Sequence, residues 1–157
     1  MAVLLSDALK AIGIYNDKVD FYLPAPIAAL AINDDGATWT KVPGMTCNGS
    51  TQGYSSTGGT LKKTDNSNCS LMIGVSDVAV NKACTIFYGL SINGSTPLLE
   101  HITEATFTAA SKVENIVINK LPEPEENQEF EVWVLGDGIA TGVAANIKTL
   151  SVIFWGK

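Results

Sequence analysis

The sequence predicts an all-β protein, a closed or double-sheet antiparallel architecture of about eight strands behind a short N-terminal arm. Three observations point there. Apolar runs such as LMIGVSDVAV (71–80) and TIFYGLSI (85–92) are short and rich in Val, Ile, Thr, Phe and Tyr, residue types that suit a pleated, half-buried surface. Gly and Asn turn signals separate them, with 14 glycines in 157 residues. No long helical pattern lies between them, so the crossover helices of a parallel sheet are missing. A chain of this length suits one compact domain.

The pattern divides into an arm over residues 1–26 and a β-domain over 27–157. In the arm, Leu5, Leu9 and Ile12 fall at i, i+4 and i+7, which predicts a short amphipathic helix over 5–12. So short a helix needs a cover for its apolar stripe. VDFYLPAP then reads as extended chain, because Pro24 and Pro26 remove donors and push their predecessors out of helical dihedrals. Phe21 and Leu23 complete an apolar set with Leu5, Leu9 and Ile12. That set either packs back on its own domain or lies along a neighbouring subunit or larger assembly.

The first strand of the β-domain is IAALAI, closed by the turn signal Asp35-Gly36. ATWTKV puts Thr38, Thr40 and Val42 on one face and Trp39 and Lys41 on the other. The long polar connection over 43–59 is a candidate recognition loop, in which an exposed Tyr54 would be able to stack on a sugar. In 71–80 the apolar parity changes near Ser76 and Asp77, the mark of a bulge or bend. TIFYGLSI is apolar on both parities and turns at Asn93-Gly94 into LLEHITEATF. KVENIVINKL follows, and then the acidic connection LPEPEENQ. EFEVWVL alternates cleanly, Phe130, Val132 and Val134 against Glu129, Glu131 and Trp133. The last segment carries Leu150, Val152 and Phe154 on one face and Ile153 and Trp155 on the other. Trp133 and Trp155 either pack between subunits or close the ends of the sandwich.

Composition narrows function mainly by what it disfavours. All ten basic residues are Lys and the net charge is −6, so the forked donor that reads phosphate or guanine is missing and nucleic acid is not an expected partner. No stretch approaches the ~18 apolar residues of a membrane helix, and MAVLLSDALK lacks a basic leader. Cys47, Cys69 and Cys84 are too few and too widely spaced for a metal knuckle; Cys69 and Cys84 read as buried thiols. Asn48, Asn68 and Asn93 precede x-Ser but read as turn residues. His101, the single histidine, reads as a structural residue at a strand surface with no nucleophile tied to it. The acidic groups around Glu123, Glu125, Glu126 and Glu129, and around Asp34, Asp35 and Asp137, would bind calcium only if loops converged; otherwise they are a solvated surface. No cofactor or enzymatic activity is expected.

The order of pieces carries a resemblance. An apolar strand closed by NDDGATWTKV, a polar loop, a long inner strand, KACTIFYGLSING with its Asn93-Gly94 hairpin, an EVWV strand and a C-terminal IKTLSVIF strand together resemble the trimeric jelly-roll domains of the C1q and tumour-necrosis-factor type. They look most like the versions found as structural proteins of tailed bacteriophages. The resemblance covers roughly residues 27–157 and is one of pattern, with no residue performing chemistry. It implies a jelly-roll sandwich, a homotrimer with Tyr88, Trp133, Phe154 and Trp155 at or near subunit contacts, and a virion location. The expected function is a capsid decoration or cementing protein attached to the major capsid protein or another virion protein through its arm. The alternative is a receptor- or glycan-binding tail module that uses loops 46–59 or 139–146.

Overall fold

A computed structural model describes residues 18–33, 35–48, 54–64, 69–80, 83–107, 112–115, 125–137 and 143–156. Within them the chain is an antiparallel all-β sandwich of two six-stranded sheets. The strands are β1 (Lys18–Tyr22), β2 (Ile27–Ile32), β3 (Thr40–Lys41), β4 (Thr46–Cys47), β5 (Tyr54–Thr57) and β6 (Thr60–Lys63) in the first half. The second half contributes β7 (Cys69–Val80), β8 (Cys84–Ile92), β9 (Ile102–Phe107), β10 (Lys112–Asn115), β11 (Glu129–Asp137) and β12 (Val143–Gly156). The twelve described strands exceed the expected eight because β3 and β4 are two-residue pairings and the polar connection over 43–59 itself holds β4 and most of the β5–β6 hairpin.

One sheet runs β10-β7-β12-β1-β4, with β2 also on β12; the other runs β5-β6-β11-β8-β9, with β3 on β11. The pairings are nested. The first long segments, β1 and β2, pair with the last strand, β12. Moving inward along the chain, β6 pairs with β11, β7 with β10 and β8 with β9. β12 then joins β7 in the first sheet, and β11 joins β8 in the second.

Alternation explains which residues fill the space between the sheets. Phe130, Val132 and Val134 of β11 are buried, as are Ile86, Tyr88 and Leu90 of β8 and Ala105 and Phe107 of β9. Opposite them lie Val19 and Phe21 of β1 with Leu150 and Val152 of β12. In β12 the buried positions change parity, from Ala145 and Ile147 to Leu150 and Val152. The β7 partners of that point are Val78 and Ser76, the place where the sequence predicts a bend.

The arm boundary after residue 26 falls inside a sheet. β1 is hydrogen-bonded between β12 and β4, and the Leu23 amide donates to the Leu150 carbonyl at 2.9 Å, so the prolines bridge two strands that share one partner. In β2, Ala29 has φ +55 and its amide donates to Asn146 Oδ1 at 2.8 Å, a side chain standing in for a ladder bond where the register shifts. Gly58 and Gly59 both have positive φ, the requirement of a two-residue turn between β5 and β6. Asn93 and Gly94 make the predicted tight turn, and Asn93 clamps the end of β8 to β11 by donating its amide to Glu129 O and accepting the Glu129 amide on Oδ1.

Candidate functional site

The structure redistributes the residues singled out from the sequence. Tyr88, expected at a subunit contact, is 2% exposed inside one chain, where its ring is used in the protomer's own core. Burial, and secondarily the Cys84 thiol, push its hydroxyl above the ordinary phenol range. Tyr54, expected on an exposed recognition loop, is also 2% exposed. It begins β5 opposite Lys63, whose Nζ lies 5.8 Å from the ring centroid, so no aromatic face is offered to a sugar. Phe21 and Leu23, grouped with the arm, are core residues. Leu5, Leu9 and Ile12 lie outside the described residues. Phe154 pairs along the backbone with Val19 and Leu71, and Trp155 with Lys18 and Ser70, which places both in the centre of the first sheet.

Trp133 is the expected interface residue with a describable side chain at the surface. It stands half-buried on the outer face of the second sheet, opposite Lys41 on one side and Gly89 on the other. Its indole Nε1 donates to Glu131 Oε2 at 2.8 Å. Glu131 Oε1 accepts from Lys41 Nζ and from Thr60 Oγ1, each at 2.7 Å. Partial burial opposes ionisation of Glu131, but hydrogen bonds from Lys41, Thr60 and Trp133 outweigh it and hold the carboxyl below the usual range. The network joins β3, β6 and β11. Beside it a polar groove of about 310 Å³ is lined by Ser55, Thr57, Thr60, Lys62 and Glu129.

A second site forms where β8 turns into β9. Ser91 donates its hydroxyl to the Ser95 carbonyl at 2.7 Å, and Pro97 sits over Gly89, where an added Cβ would fall 2.6 Å from the proline ring. A single 3-10 turn, Leu99–His101, follows and swings His101 inward. The strand-surface position expected for His101 is therefore replaced by a core-facing one, 2% exposed. Among the described residues neither ring nitrogen finds a hydrogen-bond partner; Glu100 Oε1 is 3.7 Å from Nε2, too long for one. Leaving a buried polar group unmet costs ~1–3 kcal/mol, so the position calls for a reason. His101 lines a hollow of about 290 Å³ with Leu90, Ile92, Ser95, Thr96 and Leu98. Leu98, which lines it, is 59% exposed and the next residue, Leu99, 88%; these are the large apolar side chains left in solvent among the described residues.

The loops carrying Asp35 and Asp137 do converge, through a bridge between those two residues. The Asp35 carboxylate is already used in its own turn. The Thr38 hydroxyl and the Thr38 and Ala37 amides donate to it and lower its pKa to about 2. Among the described residues no group of three or more His, Cys, Asp or Glu is placed to hold a metal ion. Compared with protein-family models and with curated proteins, the chain matches none.

Proposed function

We propose that this chain is a non-enzymatic virion structural protein of a tailed bacteriophage, a C1q/tumour-necrosis-factor-type jelly roll that decorates or cements the capsid as a homotrimer. The observation that carries it is the nested pairing. The pairing of β1 with β12, β6 with β11, β7 with β10 and β8 with β9 is the order expected when one long antiparallel hairpin rolls into two facing sheets, and it supports the jelly-roll reading. The half-buried Trp133 and the two exposed leucines supply apolar surface for contacts with other chains. Attachment runs through residues 1–17, whose apolar set lies upstream of the first strand.

Removing residues 1–17 tests this, because β1 and its buried Val19 and Phe21 stay in place. The shortened protein keeps its β circular-dichroism signal and its trimer mass but loses binding to phage particles stripped of the full chain. Unchanged binding would move attachment to the loops. A glycan-binding tail module is the second reading, favoured by the hydroxyl-lined groove over Ser55, Thr57 and Thr60. Saturable binding of a free oligosaccharide that Thr57→Trp abolishes would support that role instead.

A further inference from the structure

The outer face of the second sheet carries a continuous strip built on the Glu131 network. At one end is the polar groove of about 310 Å³, whose lining comes from three neighbouring strands. Lys62 stands between Ser55 and Glu129 in register, and Thr57 opposite Thr60. At the other end two indoles meet at Gly89. Trp133 is its partner across the ladder, and Trp39 Cη2 would lie 3.0 Å from a Cβ on that glycine. Both tryptophans are half-buried. Glu131 joins the two ends, accepting from Thr60 Oγ1 of the groove and from Trp133 Nε1. Glu129 and Trp133, at either end, are about 13–14 Å apart along one strand.

Each feature narrows the ligand. The one polar atom of Trp133 is satisfied inside the chain, so what the residue offers outward is a ring face. That ring is held ready by a carboxylate itself bonded to Lys41 and Thr60. The Thr60 proton is committed to Glu131 and one lone pair to Lys41, which leaves this hydroxyl an acceptor in the groove. Lys62 supplies donors, Glu129 acceptors, and the hydroxyls of Ser55 and Thr57 either. A molecule that donates and accepts at several close points, and also lays an apolar face on an aromatic ring, is a sugar. Charge selects further: Lys62 balances Glu129 and Lys41 balances Glu131, in a chain of net charge −6, so an anionic ligand gains no net attraction.

We propose that this strip binds a neutral oligosaccharide, with one ring stacked on Trp133 beside Trp39 and the adjoining ring hydrogen-bonded in the groove. This names the ligand class for the glycan-binding reading above and rests on that reading. It requires Trp133 to stay open in the assembled protein, which leaves Leu98 and Leu99 as the apolar contact with other chains.

The test is saturation-transfer NMR on the full chain. The probes are a panel of neutral trisaccharides built from glucose, galactose, mannose or N-acetylglucosamine, with sialyllactose against lactose as the charge control. At least one neutral probe binds saturably, with a Kd in roughly the millimolar range, and sialyllactose binds no better than lactose. Trp133→Ala weakens that binding roughly tenfold or more, whereas Trp133→Tyr, which keeps a ring, restores most of it. Thr57→Trp, at an exposed position, fills the groove and abolishes trisaccharide binding. Light scattering gives Trp133→Ala the same mass as the wild type.

Binding confined to sialyllactose would overturn the neutral class and leave the glycan-binding reading standing. No binding by any probe would overturn both. Binding that Trp133→Ala leaves unchanged, or a trimer that this substitution takes apart, would overturn the platform and return that face to subunit contact. Particle binding by the chain lacking residues 1–17 reads the capsid role independently.

Discussion

Replacing Gly89 with alanine perturbs the sheet at the point where the β8–β9 connection is pinned to it. A Cβ there would lie 2.6 Å from both Cβ and Cγ of Pro97 and 3.0 Å from Trp39 Cη2. Carbon atoms pack best at ~3.5–4.0 Å, so Pro97 has to retreat by about 1 Å, and the Trp39 ring edge has to give as well. The ring is rigid and its neighbour Thr96 adjoins Ser95, whose carbonyl is held by Ser91, so the retreat strains the whole connection. Overpacking of this kind costs ~1–3 kcal/mol, which in a chain of this size lowers Tm by about 2–12 °C. Thermal unfolding followed by circular dichroism measures it. The cause is tested by Pro97→Gly, which removes the ring: in that background Gly89→Ala costs at least ~0.5–1 kcal/mol less. A Tm change below about 1 °C, or the same loss with and without the proline ring, would refute the steric explanation.

Phe21→Ala, at a fully buried site between β12 and β4, destabilises the fold by ~3–5 kcal/mol, read as a lower denaturation midpoint. Deleting residues 1–23 instead of 1–17 strips β1 from the sheet and causes aggregation, seen by light scattering. Glu131 has a folded pKa depressed below 4.5, so its contribution is complete above that value and is lost as pH falls through the folded pKa. The Tm difference between wild type and Glu131→Gln is accordingly largest well above pH 4.5 and shrinks on acidification; a difference that grows toward low pH contradicts the network. Light scattering at micromolar concentration gives three times the 16.6 kDa chain mass, whereas a stable monomer would remove the trimer.

The elements most readable from sequence were those whose alternation is local. EFEVWVL shows its inward face without reference to any partner, and Phe130, Val132 and Val134 are buried as alternation requires. Asn93-Gly94 likewise encodes its turn in two residues. The place of β1 was hidden because its partner, β12, is at the other end of the chain, and Pro24 and Pro26 look like a boundary when they are a link along one shared partner. Tyr54 differs from its expected exposure for a related reason: the sequence reads 43–59 as one polar connection, whereas the positive φ values of Gly58 and Gly59 close a hairpin whose first residue, Tyr54, is buried.

His101 carried a usable signal. It shares parity with Ala105 and Phe107, both buried, so continuing the alternation backward places the imidazole on the core face. Its polarity argued for the surface, and the 3-10 turn that delivers it inward has no sequence mark of its own. The Glu131 network was half visible. Trp133 and Glu131 share a face, as do Trp39 and Lys41, but only the pairing of β3 with β11 brings Lys41 to Glu131.

The most direct measurement of the proposed virion role is a cryo-electron-microscopy reconstruction of intact phage particles from the source of this chain. Trimeric β-sandwich densities repeating over the capsomer junctions, each connected to the capsid surface by the segment upstream of Lys18, are the predicted result. Density for the chain only at tail-fibre tips, or no density for it over the capsid, would contradict the proposal.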